Sequence, residues 1–332
     1  MKAAVLHEPG PPDVLKYEDV PDPDPGPYEV LIENHAAGIN FSDTGSRRRA
    51  SADSLPLILG SEAAGPILAV GEGVTGFSVG DYVACQGLSG GYAEKVICRV
   101  QDAGASGGSR ERGGRLVKAP AEVKPEVAVA VMLQALTAHA LAFGAYQVKP
   151  GDRVLVQAGA GGVGSMLCQM AKIAGAYVYA TVGSDAKVAV AKEAGADEVI
   201  NYSTDNFEAY VLDATQGAGV NAVFDAVGRT TFLKGMSCLA PLGTMVSYGA
   251  ASGPVEPFRL SELGTGKYVI STRMSAHTPT REAWMQRATE TLQWAKEGKI
   301  TPQVTTYPLA RAADAHRDLE GRASTGKLVL IP

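Results

Sequence analysis

Cysteine is scarce in this chain: the four in 332 residues, Cys85, Cys98, Cys168 and Cys238, stand far apart with no paired spacing. Neither a disulfide framework nor a thiolate zinc site is expected, each cysteine reads as a small buried apolar residue, and a reducing cytoplasm is the implied setting. Long hydrophobic runs are also missing. The opening Met1-Lys2-Ala3-Ala4-Val5-Leu6-His7-Glu8 breaks its apolar run early and lacks the core of a secretory signal, and no stretch is expected to span a bilayer. There is no surplus of positive charge, with 30 Lys and Arg against 35 Asp and Glu and a formal net charge of −5. No general field therefore draws in nucleic acid or an anionic membrane, and neither is an expected partner.

What is present is an ordinary globular balance, 45% hydrophobic and 20% charged, with 39 glycines that imply many tight turns or close backbone approaches. The length exceeds the ~250 to 300 residues at which single cores stop growing, so two domains are expected. Residues 1–121 alternate short apolar runs, such as Val30-Leu31-Ile32, with proline and glycine punctuation, the pattern of a β-rich domain. Within them, Pro21-Asp22-Pro23-Asp24-Pro25-Gly26-Pro27 cannot donate a regular ladder of hydrogen bonds and reads as an extended spacer. Residues 101–115, rich in glycine, serine and arginine, read as an inserted loop.

From about residue 122 the rhythm changes. A helical periodicity across 127–146 is followed by strand patterns at 153–157, 177–181, 198–200, 222–225, 243–248 and 268–272, separated by helical segments. Strands alternating with helices predict right-handed βαβ units and a six-stranded doubly wound parallel sheet over 122–276. Residues 277–332 add an amphipathic helix over 281–297, stopped by Gly298, and a terminal strand over 327–331 that is expected to return to the first domain.

The first strand of this α/β pattern runs into Ala158-Gly159-Ala160-Gly161-Gly162-Val163-Gly164, and a helix follows. This is the dinucleotide fingerprint in its required context: Gly159 for the tight turn, Gly161 for approach to a pyrophosphate, and Gly164 for packing of helix on strand. The amides at Gly161, Gly162 and Val163, with the positive end of the helix dipole, would hold the phosphates. An NAD enzyme would carry an acidic residue at the end of the second strand, but this one ends Ala180-Thr181-Val182-Gly183-Ser184. Ser184 and Lys187 point instead to a 2′-phosphate and so to NADPH, with Asp185 close enough to compete.

The segments Ala36-Ala37-Gly38-Ile39-Asn40-Phe41-Ser42-Asp43, Leu59-Gly60-Ser61-Glu62-Ala63-Ala64-Gly65, Gln134-Ala135-Leu136-Thr137-Ala138-His139, Phe224-Asp225-Ala226-Val227-Gly228 and Glu320-Gly321-Arg322-Ala323-Ser324-Thr325-Gly326-Lys327, with the glycine loop, resemble the medium-chain dehydrogenase/reductase superfamily. The likeness covers nearly the whole chain and is closest to the quinone oxidoreductase branch that includes zeta-crystallin. It implies a GroES-like β-rich catalytic domain accompanying the Rossmann domain, with the active site in the cleft between them. It also implies NADPH as cofactor, a quinone as acceptor, and a homodimer paired along 268–272. Carried over residue by residue, Asn40 and Asp43 would line the acceptor pocket, Thr137 would touch the nicotinamide ribose region, and Ser184, Lys187, Tyr202 and Arg322 would contact the 2′-phosphate and adenosine. The backbone near Tyr248 and along 268–273 would bracket the nicotinamide. Where zinc-dependent members carry a Cys and a His, this chain has Asn40 and Ser61, so no metal is expected.

The resemblance breaks at Gly45-Ser46-Arg47-Arg48-Arg49, where the family continues with an aromatic residue, an Arg and a tyrosine. The lost aromatic wall suggests an acceptor that is larger, anionic or differently oriented, while the three arginines read equally as a solvated run. The alternatives are an enone or alkenal reductase within the class, and a non-catalytic nucleotide-binding or crystallin-like protein outside it. No general acid with a strongly tuned pKa is expected, because a reduced quinone can take its proton from water.

Overall fold

The computed structural model describes residues 1–100, 115–321 and 324–332. Most of the insertion at 101–115, and Arg322, lie outside the described residues. The chain forms two compact units, one of Met1–Leu133, Trp284–Gly298 and Pro302–Pro332, the other of Gln134–Ala283 and Lys299–Thr301.

In the first unit a three-stranded sheet places Lys2–Leu6 between Leu15–Asp19 and Leu57–Ile58, both antiparallel to it. An eight-stranded sheet carries the rest. Alternation explains its inner face: in Glu29–Glu33, Val30 and Ile32 are fully buried while Glu33 faces water, and its partner Lys95–Arg99 buries Val96 and Cys98 in the same core. Ala36–Ile39 breaks that alternation and is buried at every position. It pairs antiparallel with Glu62–Val70 on one side and with the terminal strand Lys327–Ile331 on the other. That pairing draws Glu62 and Lys327, 265 residues apart, to the end of the strand that delivers Asn40 to the start of the helix Phe41–Arg49.

The second unit holds a six-stranded, all-parallel sheet in the order Glu198–Asn201, Tyr177–Val182, Arg153–Val156, Val220–Asp225, Leu239–Ser247, Tyr268–Ser271. Its central strands are apolar runs buried on both faces, as a helix-covered parallel sheet requires. The order reverses between Tyr177–Val182 and Val220–Asp225, on either side of Arg153–Val156. This makes the carboxyl end of the first strand the topological switch point where such sheets bind ligands. The fold is therefore α/β, a Rossmann sheet with a second β-rich unit.

One expectation is corrected here. The helical run Pro125–Ala145 is, by length and composition, apolar enough to cross a membrane, where none was expected. Two thirds of its most apolar window is buried within the protein, as for a core helix.

Candidate functional site

In the second unit, the strand Arg153–Val156 gives way to a turn built around Ala158, whose φ of 56° lies in the left-handed region that a β-carbon disfavours. Tertiary bonds hold it there. The Ala158 and Gly159 amides donate to Thr181 Oγ1 and carbonyl at 3.3 and 2.8 Å, and Thr181 Oγ1 donates to the buried Gln157 Oε1 at 2.5 Å. The three glycines answer to different neighbours. A β-carbon at Gly164 would sit 2.2 Å from the Ala158 carbonyl oxygen, and one at Gly159 would sit 2.7 Å from Ala180 Cβ, so both serve the packing of strand, turn and helix. At Gly161 it would meet only the Ala158 oxygen, at 3.2 Å. Internal packing thus limits Gly161 through that single oxygen, less severely than at Gly159 or Gly164, which leaves its backbone approachable by a ligand. The helix Gly162–Ile173 begins at Gly161 with no side-chain cap, so Gly162 and Val163 stand at a bare positive helix end. Gln134 packs against Gly162, and Thr137, half-buried, lies one turn further along that helical run.

Beyond the second strand, Tyr202 leans over Gly183, its hydroxyl 2.7 Å from where a β-carbon would sit, beside the half-buried Ser184 and Lys187. The competing carboxylate is otherwise engaged: Asp185 Oδ1 accepts from Asn201 Nδ2 at 2.8 Å. At the carboxyl ends of the last two strands an open cavity of about 510 Å³ is lined by Ser247, Tyr248 and Gly249 on one side and Ser271, Thr272 and Arg273 on the other. The Tyr248 hydroxyl is buried without a partner among the described residues, and burial holds its phenol far above the ordinary range.

In the first unit, Asn40 and Asp43 are buried at the start of the helix Phe41–Arg49. Asp43 Oδ2 accepts the Asn40 amide at 2.9 Å, a local bond of the kind such residues make at helix starts. It also accepts the Tyr92 hydroxyl at 3.0 Å. Behind Tyr92 stands the fully buried His316, and behind that Arg47, which is fully buried as well. A guanidinium can only donate, so Arg47 bonded to His316 Nδ1 at 2.7 Å fixes the neutral ring's proton on Nε2. His316 then donates to Tyr92, and Tyr92 to Asp43. All three donors point inward, toward the carboxylate.

Burial nevertheless outweighs the donors and raises Asp43 from an ordinary 3.8 to about 6, while burial first and the Arg47 charge second lower His316 to about 4. Nothing in the sequence pattern marked Asp43 for burial or for this upward shift. The solvated-run reading fails for Arg47, which bonds Gly10, His316 and Glu320. It holds for Arg48, which pairs with Glu320 at the surface, while Arg49 is exposed. Arg49 folds back over its own helix, one guanidinium nitrogen 2.6 Å from where a β-carbon at Gly45 would sit.

A second buried cluster meets Asn40 from the other side. Its Nδ2 donates to Glu62 Oε2 at 2.8 Å, while Lys327 Nζ donates to Asn40 Oδ1 at 2.8 Å and to Glu62 Oε2 at 2.5 Å. In the sequence, Glu62 and Lys327 stand only inside longer family-like segments, and nothing marks Tyr92 or His316. Local pattern carries no signal for contacts that strand pairing makes across the chain.

Comparison with known proteins agrees with this architecture. Residues 26–114 match the alcohol dehydrogenase GroES-like domain, and residues 162–293 match the zinc-binding dehydrogenase family. The chain is 38% identical to a quinone oxidoreductase of Pseudomonas aeruginosa, over 97% of both proteins. It is 35% identical to a 2-haloacrylate reductase of a Burkholderia species, over 99% of this chain and 98% of the relative. The crystal structure of Escherichia coli quinone oxidoreductase complexed with NADPH superimposes with a TM-score of 0.90 at 35% identity, covering all of both chains. A dinucleotide-dependent oxidoreductase is the class that the fold and the glycine loop define. Within it, the chain belongs to the quinone oxidoreductase branch of the medium-chain dehydrogenase/reductase superfamily.

The zinc in the matched family's description does not fit these residues. Asn40 is bound by Lys327, whose buried ammonium would repel a cation, and no group of three or more His, Cys, Asp or Glu able to hold a metal occurs among the described residues.

Proposed function

We propose that this protein is an NADPH-dependent quinone reductase that needs no zinc. The observation that carries the cofactor half is the glycine loop: an uncapped helix end at the sheet's switch point, with Gly161 open to a ligand and Asp185 turned to Asn201. The Escherichia coli relative complexed with NADPH supports the same cofactor. NADPH would lie with its pyrophosphate on Gly161, Gly162 and Val163, in the turn that Gly159 and Gly164 pack, and its 2′-phosphate and adenosine near Ser184, Lys187 and Tyr202. Thr137 and Tyr248 would flank the nicotinamide end. Bound there, it supplies a hydride; a quinone that accepts one needs a single further proton to become the hydroquinone. Asn40 and Asp43 face the acceptor. Asn40 offers an amide of fixed orientation, and Asp43, ionised above pH 6 or so, holds the Asn40 backbone in place.

A second acceptor class, conjugated alkenes bearing a carboxylate, is favoured by Arg49, which lies over Gly45 where related enzymes carry an aromatic ring, and by the relative named 2-haloacrylate reductase. Oxidation of NADPH and NADH is to be followed against neutral quinones, carboxylated quinones, enones and 2-haloacrylates, with and without a chelator. Chelator-insensitive, NADPH-preferring turnover of quinones is expected. Turnover of alkenes alone would move the assignment to carbon–carbon double-bond reduction, and binding without turnover would favour a non-catalytic role. The cytoplasm is the proposed setting, and a homodimer joined along the exposed edge strand Tyr268–Ser271 the proposed assembly.

A further inference from the structure

We infer that Lys327 is a positioning residue for the acceptor site: its buried ammonium, paired with Glu62, clamps the Asn40 side-chain amide in one orientation. The inference rests on the assignment of Asn40 to that site.

A terminal amide has two orientations of nearly equal shape, and only its hydrogen-bond partners tell them apart. Here the partners are opposite in kind. An ammonium can only donate and takes Oδ1 at 2.8 Å, while the carboxylate oxygen that Lys327 neutralises can only accept and takes Nδ2 at 2.8 Å. A flipped amide would set donor against donor and acceptor against acceptor. Neither charged side chain can drift, because Lys327 and Glu62 are 1% and 0% exposed and lie 2.5 Å apart. Gly38 completes the clamp: a β-carbon there would sit 2.2 Å from Glu62 Oε2 and 2.9 Å from Lys327 Nζ, so the ion pair fills the space that any other residue would occupy. The backbone of Asn40 is tied separately, through Asp43. Main chain and side chain are thus fixed by different partners, and the ammonium on Oδ1 also polarises the amide and strengthens its N–H groups as donors.

The test is a coupling measurement on the full-length enzyme. Lys327→Met with Glu62→Gln removes both charges while keeping shape and an acceptor for Nδ2. This double variant is expected to fold, to bind NADPH as wild type does, and to lose at least roughly tenfold in kcat/KM for 1,4-benzoquinone, a loss of about 1.4 kcal/mol. In an Asn40→Ala background the same two substitutions should cost nothing further, because the group they orient is gone. Wild-type kcat/KM in the double variant, or a loss that persists in full without Asn40, overturns the inference. An Asn40→Ala enzyme as active as wild type overturns it together with the acceptor role of Asn40, whereas failure of the wild type to reduce any quinone would strike the proposed function instead. A readout that needs no variant is side-chain amide exchange in wild type labelled at asparagine: slow exchange at Asn40 is expected, and exchange as fast as a free amide's overturns the clamp.

Discussion

At the scale of single residues, identical side chains take on different duties according to what surrounds them. The glycines of the dinucleotide loop separate cleanly by substitution. Gly164→Ala places a β-carbon 2.2 Å from the Ala158 oxygen, so it should destabilise the enzyme by about 1–3 kcal/mol, seen as a lower midpoint of thermal unfolding. Gly161→Ala meets only one oxygen at 3.2 Å and should lower that midpoint less than Gly164→Ala does, yet weaken NADPH by roughly tenfold in a fluorescence titration. Retained affinity in Gly161→Ala would place the pyrophosphate elsewhere. The arginine run divides in the same way, Arg47 entering the core while Arg49 lies over Gly45. If Arg49 meets the acceptor, Arg49→Gln should lower kcat/KM for carboxylated acceptors while leaving 1,4-benzoquinone unchanged, measured side by side in steady-state kinetics. Equal loss for both substrates would deny it a role in reading charge.

At the scale of elements, the helix Phe41–Arg49 and its surroundings form a titrating unit. Asp43 and His316 share Tyr92, and their linkages oppose one another. Asp43 has a raised folded pKa, so its native carboxyl holds a proton that the unfolded chain has released between pH 3.8 and about 6. This contribution to stability shrinks as pH rises through that window, by about 3 kcal/mol in all. His316 has a lowered folded pKa, so the unfolded chain gains a proton between pH 6.5 and about 4 that the native ring refuses, and about 3 kcal/mol is lost as pH falls. In wild type the two nearly cancel. Asp43→Asn should therefore steepen the fall of the unfolding midpoint below pH 6.5 relative to wild type, and His316→Asn should flatten or reverse it, as calorimetry across pH 4 to 7 would show. Parallel pH curves for all three proteins would mean that these groups are not tuned as their burial implies. Activity has its own dependence: the ionised carboxylate holds Asn40, so kcat/KM for the acceptor should fall as pH drops through about 6, and Asp43→Asn should abolish that inflection.

At the scale of the whole molecule, one sheet edge bears on assembly. The parallel sheet ends at Tyr268–Ser271, whose Tyr268 and Val269 side chains are exposed, a strand edge that solution alone would leave unpaired. Val269→Pro removes a backbone donor from that edge. Sedimentation velocity should find the wild type dimeric and a folded Val269→Pro variant monomeric; an unchanged assembly would rule out edge pairing.

Much of this molecule was legible in the sequence, because its information is local. The six strand patterns and the glycine fingerprint between strand and helix depend on residues near one another along the chain, and five of the strands lie within two residues of their reading, while the fifth begins at Leu239, four residues before 243. What only the tertiary structure decided are the contacts that strand pairing and helix packing make between distant segments. Lys327 reaches Glu62 and Asn40 because the terminal strand lies beside Ala36–Ile39, and Arg47 is buried because His316 and Glu320 come to meet it. Asp43 sits about two pH units above its ordinary value for the same reason: burial is a property of the assembled core, and no spacing of letters along a chain records how far a carboxylate will end up from water.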